Sequence, residues 1–247
     1  MSEAFELVQG DSDILIVVDH ASNHVPPDID LGIGPDLLHR HIGWDIGAAS
    51  LGQALCERLG APGIFGAVSR LVIDLHREEH SPALIPETSD GHVIPGNQGL
   101  SGDARQDRVE RFWRLYHQAL AGQIERLPPA LIAAVHSFTP RLETSAGSSR
   151  PWEIGILYNQ DDRAARLAIA ELRRQGFVTG DNEPYSGKLL NATMNMHAEA
   201  NGIPYLAIEI RNDLIGEPQG AARWAHILES LLLHCRNKLA QTLVPRP

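Results

Sequence analysis

His20, His136 and Glu209 are the side chains whose types and positions could do chemistry together. His20 follows the apolar run Ile14 to Val18, His136 follows Leu131 to Val135, and Glu209 and Arg211 close the run Tyr205 to Ile210. Two neutral imidazoles can hold a divalent metal with a position open for water, and a free carboxylate can take that water's proton. Two histidines and a glutamate at three strand ends therefore form the pattern of a metal hydrolase. Each residue alone has a plainer use: a strand-end histidine can be packed or solvated, and Glu209 can pair with a neighbour such as Arg211. The weight rests on the coincidence of position.

The elements that must bring these residues together are legible as alternating apolar runs. Ile14 to Val18 is a continuous β-branched and leucine run, read as a strand buried on both faces. Asp45 to Leu59 has helical spacing of apolar residues and stops at Gly60. Short strands are expected at Ile64 to Val68 and Leu71 to Leu75. From Arg77 to Asp103 periodicity disappears among prolines and glycines, which marks a long functional loop. A long amphipathic helix over Arg105 to Leu127 precedes Pro128-Pro129. Strands at Leu131 to Val135, Ile154 to Tyr158 and Tyr205 to Ile210, with helices at Asp161 to Gln175 and Gln219 to Ala240, complete the pattern. Strands alternating with helices predict a single α/β domain over 1–247, with helices on both sides of a mostly parallel mixed sheet. In such sheets ligands bind beyond the carboxyl ends of the strands, where the three candidates sit.

Composition narrows the class. With 247 residues the chain can bury a core without metal or disulfide staples, so any metal is expected to be catalytic. A net charge of −10 opposes nucleic acid and anionic membrane surfaces, while a local arginine cluster can still receive a small anion. Cys56 and Cys235 fit no metal spacing and read as buried, reduced thiols, which points to the cytoplasm. The N-terminal stretch is acidic and does not read as a secretory signal, and no apolar run reaches a membrane span. His117, His226 and His234 fall in helices and are expected at the surface. The oligomeric state is left open.

Six words then carry a family resemblance: Asp19-His20-Ala21-Ser22, the stretch Ser69 to Arg77, Ile85 to Gly91, His136-Ser137-Phe138-Thr139-Pro140, Asn182-Glu183-Pro184-Tyr185-Ser186, and Ile208 to Leu214. In this order, over about residues 13–215, they resemble the N-formylglutamate amidohydrolases, a family related to the zinc carboxypeptidases. His136-Ser137-Phe138 resembles the later zinc histidine of the carboxypeptidases, Ile208-Glu209-Ile210-Arg211 the segment bearing their general base, and Asp74-Leu75-His76-Arg77 their Asn-Arg segment, with His76 in place of the asparagine.

The resemblance implies a three-layer αβα fold, a divalent metal, zinc by preference, and hydrolysis of N-formyl-L-glutamate or a related N-acyl amino acid. His20 and His136 would be metal ligands and Glu209 the proton acceptor. Arg70 and Arg77 would clamp substrate carboxylates, for which a planar guanidinium is suited. Arg211 would support Glu209 or neutralise the oxyanion. The carboxypeptidase His-x-x-Glu pair is broken here, because the fourth position is Asn23, a poor zinc ligand. Asp45 is the substitute expected as third ligand, its plain alternative being a helix N-cap; His24 and His41 are reserves. The alternative function is a metal-free or ligand-binding protein of the same fold. A serine hydrolase is disfavoured because no Gly-x-Ser-x-Gly elbow occurs.

Overall fold

A computed structural model describes residues 3–144 and 149–242. Strands β1 (Phe5–Val8), β2 (Ile14–Val18) and β3 (Gly63–Gly66) flank the helices α1 (Pro35–Leu38) and α2 (Ala48–Leu59). A small hairpin, β4 (Thr88–Ser89) and β5 (His92–Val93), precedes α3 (Gly102–Arg108) and α4 (Leu115–Arg126). There follow β6 (Leu131–Phe138), β7 (Ile154–Leu157), α5 (Arg163–Arg174), β8 (Thr179–Asp181), α6 (Ala192–His197), β9 (Tyr205–Arg211) and α7 (Pro218–Thr242).

Seven strands form one mixed sheet in the order β1-β3-β2-β6-β9-β7-β8. The pairs β3-β2, β2-β6, β6-β9 and β7-β8 are parallel, and β1-β3 and β9-β7 are antiparallel. The continuous apolar runs Ile14 to Val18 and Leu131 to Val135 are buried throughout, as a central parallel strand covered on both faces requires. Helices α2, α5 and α7 pack together over one face. α4 and α6 contact each other on the other side and reach Asp19, beyond the end of β2, through Tyr116 and Thr193.

Several elements differ from expectation for identifiable reasons. Leu71 to Leu75 is buried but forms no strand. Its carbonyls are taken by side chains instead: Asn97 Nδ2 donates to Leu71 O, and Arg108 Nη1 donates to Val72 O. α2 begins at Ala48 rather than Asp45, because Gly47 caps it in the left-handed region at φ 83°, and a Cβ there would collide with the Ile215 carbonyl. The long helix starts early, at Gly102, where Ser101 accepts a bond from Ala104 N, and it runs to Arg126 through a π-helical turn at Val109–Arg114. His117 is not a surface residue; it is buried beneath Trp113, whereas His226 is exposed and His234 half-buried. Cys56 and Cys235 are buried free thiols, their pKa values pushed up to about 12 by burial.

Candidate active site

The parallel register of β6 and β9 sets His136 beside Glu209 as direct cross-strand partners. Around them opens a cleft of about 400 Å³ that is also lined by His20, Asp45, Arg70, Asp74, His76, Arg77 and Tyr185. The connecting loops are locked to the strand ends by backbone bonds. Asp45 N donates to His20 O, Arg70 N to Gly43 O, and Ser69 N to His24 O. Ser137 N donates to the Asp45 carboxylate at 3.3 Å, and Ser137 Oγ to Ile46 O. The loop from Arg77 to Asp103 forms the rim. It is held from below by Asn97, which bridges Leu71 O and Pro86 O, and by Arg108 on Asn97 Oδ1.

Three donor atoms converge in the cleft. Asp45 Oδ2 lies 3.3 Å from His20 Nδ1 and 3.0 Å from His136 Nδ1. Ligands around tetrahedral zinc, at about 2.0–2.1 Å from the ion, stand about 3.3 Å apart, so the spacing suits one ion. The distal ring nitrogens are backed by buried carboxylates: His20 Nε2 is 2.7 Å from Asp74 Oδ1, and His136 Nε2 is 3.4 Å from Asp19 Oδ2. Carboxylates behind metal-binding histidines are the usual means of fixing ring orientation. At 3.4 Å and poorly aligned, His136 Nε2 is left without a proper hydrogen bond. A second set, Asp19 with His76 and His136, is also close enough for a metal. There Asp19 also accepts bonds from Tyr116 at 2.8 Å and Thr193 at 3.1 Å and contacts His76 Nδ1 at 2.9 Å.

The electrostatics are those of a site built for positive charge. Asp19, Asp45 and Asp74 are buried, with Arg70 as the arginine bonded to both Asp45 (3.1 Å) and Asp74 (3.0 Å). Burial works against their ionisation. It is overcome at Asp19 by the neighbouring imidazoles of His136 and His76, at Asp45 by His20 and His136, and at Asp74 by Arg70 and His20, so all three lie below the usual carboxylate range. Burial also opposes protonation of His20 and His136, yet the facing aspartates hold both above the ordinary imidazole value. Glu209 is the opposite case. Burial, resisted by His136 and reinforced by Asp45, pushes its pKa up to about 7, and its buried Oε2 has no hydrogen-bond partner among the described residues.

The sequence of the family described as N-formylglutamate amidohydrolase matches residues 12–216. The chain belongs to that family. Among solved structures, the Agrobacterium tumefaciens gene product Atu2144 is similar at TM-score 0.88 and 30% identity, covering 97% of this chain and 96% of the other. The N-formylglutamate amidohydrolase of Ralstonia eutropha JMP134 shares the fold at TM-score 0.76 and 22% identity, over 98% and 100% of the two chains. Among curated protein sequences no match is found.

Within this amidohydrolase chain the residues expected from sequence are distributed unevenly. His20, Asp45, His136, Glu209, Arg70 and Arg77 all line one cleft. Asp45 is not a helix cap: it stands upstream of the helix, its carbonyl accepting Ala48 N. Asn23 faces His39, His24 is exposed, and His41 contacts Asp90 at 2.9 Å on the rim. Arg211 donates to Asp213 at 2.8 Å and is not among the residues that line the cleft. The sequence suggested no site role for Asp19, Asp74 or Tyr185, and placed His76 only as the replacement of the asparagine in the Asn-Arg segment, although all four lie inside the family words. An aspartate adjoining His20 was the signal that could have pointed to a carboxylate behind a histidine.

Proposed function

We propose that this protein is a zinc-dependent amidohydrolase that cleaves the amide of N-formyl-L-glutamate or a related N-acyl amino acid, releasing the free amino acid. The observation that carries this reading is the convergence of His20 Nδ1, Asp45 Oδ2 and His136 Nδ1 in the cleft that Glu209 also lines, its Oε2 without a hydrogen-bond partner among the described residues. These three residues would hold the ion, with Asp74 and Asp19 orienting the imidazoles from behind. A divalent metal supplies Lewis acidity that makes water a competent nucleophile near neutral pH. Glu209, with its pKa raised to about 7, is matched to accept the water proton and return it to the departing amine. Arg77 lines the cleft with its Nη1 on His76 O and its Nε only within 4.0 Å of Asp74, which leaves donors for a substrate carboxylate. Arg70 adds positive charge but is bonded to two aspartates, so its first role is to hold Asp45 and Asp74. A cleft of about 400 Å³ falls within the range of small-molecule sites. No helix among the described residues is long and apolar enough to cross a membrane, and the two buried thiols suit a reducing cytoplasm.

Metal analysis of the purified protein, followed by a hydrolysis screen over N-formyl, N-acetyl and N-succinyl amino acids, tests the reading. The expected result is bound zinc and turnover of a carboxylate-bearing N-acyl substrate. Glu209→Gln should keep the metal and lose about 10²- to 10⁴-fold in kcat. Absence of both metal uptake and turnover after zinc addition would favour a ligand-binding protein instead.

A further inference from the structure

Tyr185 is brought to the cleft by a close approach of the chain to the sheet. Gly155 of β7 and Gly180 of β8 are register partners, and a Cβ on either would collide with the Glu183 carbonyl. The missing side chains let Glu183 and Pro184 lie on the sheet and deliver Tyr185 to the cleft that Glu209 and Leu157 also line. Arg150 holds the ring: its Nη1 donates to Tyr185 Oη at 3.0 Å, and its guanidinium lies 4.8 Å from the ring centre. The same Nη1 is 3.4 Å from Thr139 O, which ties the arginine to the end of β6.

An arginine only donates. The phenolic proton of Tyr185 is therefore not used by Arg150, and no described residue accepts it. A hydroxyl that receives a charge-assisted bond is itself a stronger donor. Burial, with Glu209 next, raises the phenol's pKa against the pull of Arg150, so the group stays protonated through neutral pH. Tyr185 thus carries a polarised, unspent O–H on a side chain that lines the same cleft as the carboxylate that is to activate water.

We infer that Tyr185 is a catalytic residue whose O–H donates to the acyl oxygen of the substrate as that oxygen gains negative charge in the tetrahedral state, and that Arg150 is its positioning residue. The inference rests on the amidohydrolase reading. The attacked carbon must lie next to the water that Glu209 deprotonates, so the acyl oxygen must be near Glu209 too. The substrate carboxylate is served from the other rim, by Arg77, which follows β3 at the opposite side of the sheet from β7 and β8. Tyr185 keeps its proton throughout; no bond is made or broken at the phenol. A donor aimed at developing charge is most effective in a water-poor cleft, and removal of one such donor typically costs about 10²- to 10³-fold in kcat.

The test compares wild type, Tyr185→Phe, Arg150→Ala and the double variant as intact, metal-loaded protein. Two readouts are taken: steady-state hydrolysis of N-formyl-L-glutamate, and calorimetric binding of two probes. One probe is L-glutamate; the other is its phosphoramidate, in which tetrahedral phosphorus replaces the acyl carbon. Tyr185→Phe should lower kcat about 10²- to 10³-fold with KM within about twofold, and should weaken the phosphoramidate by a similar factor while sparing glutamate. Arg150→Ala should lower kcat less, and should cost little more once Tyr185 is Phe, a non-additivity that a merely structural arginine would not produce. Unchanged kcat in a folded Tyr185→Phe, or a loss confined to KM, overturns the inference while the amidohydrolase reading stands. A wild type that fails to hydrolyse N-formyl-L-glutamate but binds the phosphoramidate in a Tyr185-dependent way overturns that substrate and keeps the role of Tyr185. Failure of hydrolysis together with failure to bind the phosphoramidate overturns both.

Discussion

Asp45 has no sequence spacing to His20 or His136 that announces a metal site, yet its carboxylate is the atom the two imidazoles share. Asn23, which does occupy a ligand spacing from His20, is bonded to His39 and takes no part in the cluster. Asp45→Ala is accordingly expected to lose metal as severely as His20→Ala, while Asn23→Ala retains it; metal stoichiometry by atomic spectroscopy after gel filtration separates the three. The result that would move the site elsewhere is a metal-free Asn23→Ala. At Arg77 the expectation concerns specificity. Its alanine variant should lose most of its kcat/KM on N-acyl substrates that carry a carboxylate, since a single charge-assisted bond is worth about 1.5–3 kcal/mol, roughly 10- to 10²-fold. Equal losses on substrates with and without a carboxylate would make Arg77 structural.

The long helix shows how one element can support a site from behind. Across its π-helical turn and the start of α4, Trp113 Nε1 donates to Arg77 O, Tyr116 to Asp19, and His117 Nε2 to Leu75 O. Three positions of one helix therefore grip the segment that carries His76 and Arg77, together with the aspartate behind His136. Because His117 Nε2 carries the proton for Leu75 O, its Nδ1 must accept, and the donor is His197 Nε2 at 2.9 Å. Both imidazoles are neutral in the fold: burial, with His197 adding to it at His117, brings their pKa values down to about 3 and about 4. In the unfolded chain they take up protons below about pH 6.5. Between pH 6.5 and 4 the unfolded state thus binds more protons, so their stabilising contribution is complete above 6.5 and is lost as pH falls towards 4. Each histidine adds a slope of up to about 1.4 kcal/mol per pH unit. Urea titrations at several pH values should show a steeper acid loss in wild type than in His117→Gln/His197→Gln; parallel curves would mean that the pair carries no such linkage.

At the scale of the whole molecule the balance of buried charge is the governing feature. A chain of net charge −10 places Asp19, Asp45 and Asp74 together in its interior, where burial disfavours ionisation and Arg70 bonds only two of them. A divalent cation bound only by the folded state offsets this concentration of negative charge and stabilises the fold by mass action, by about 2.7 kcal/mol at a hundredfold excess over Kd. Chelator dialysis should lower Tm by about 5 to 10 °C for a domain of this size, and zinc should restore it. A Tm indifferent to chelation and to zinc would show that Arg70 and the neighbouring histidines balance the aspartates without a metal.

The layer architecture was legible in the sequence because continuous apolar runs such as Ile14 to Val18 and Leu131 to Val135 suit only strands covered on both faces, and because helical periodicity in α2, α5 and α7 marks the elements that cover them. His20, His136 and Glu209 could be read for the same reason: each sits where a buried run ends, and such ends converge in a parallel sheet. Leu71 to Leu75 misled because burial alone does not make a strand; its carbonyls are satisfied by Asn97 and Arg108, residues 26 and 36 positions downstream. His117 misled because its helix also carries polar residues, and only the packing of α4 against α6 selects the face that is buried. Asp45 was named from the sequence beside a helix-cap reading and the reserves His24 and His41, and only tertiary structure decided among these, as it decided that Arg70 is bonded to two aspartates where Arg77 is not, and the placing of Tyr185 under Arg150. Those contacts depend on loops from separate strands meeting within a few ångströms, and local spacing carries no record of such meetings.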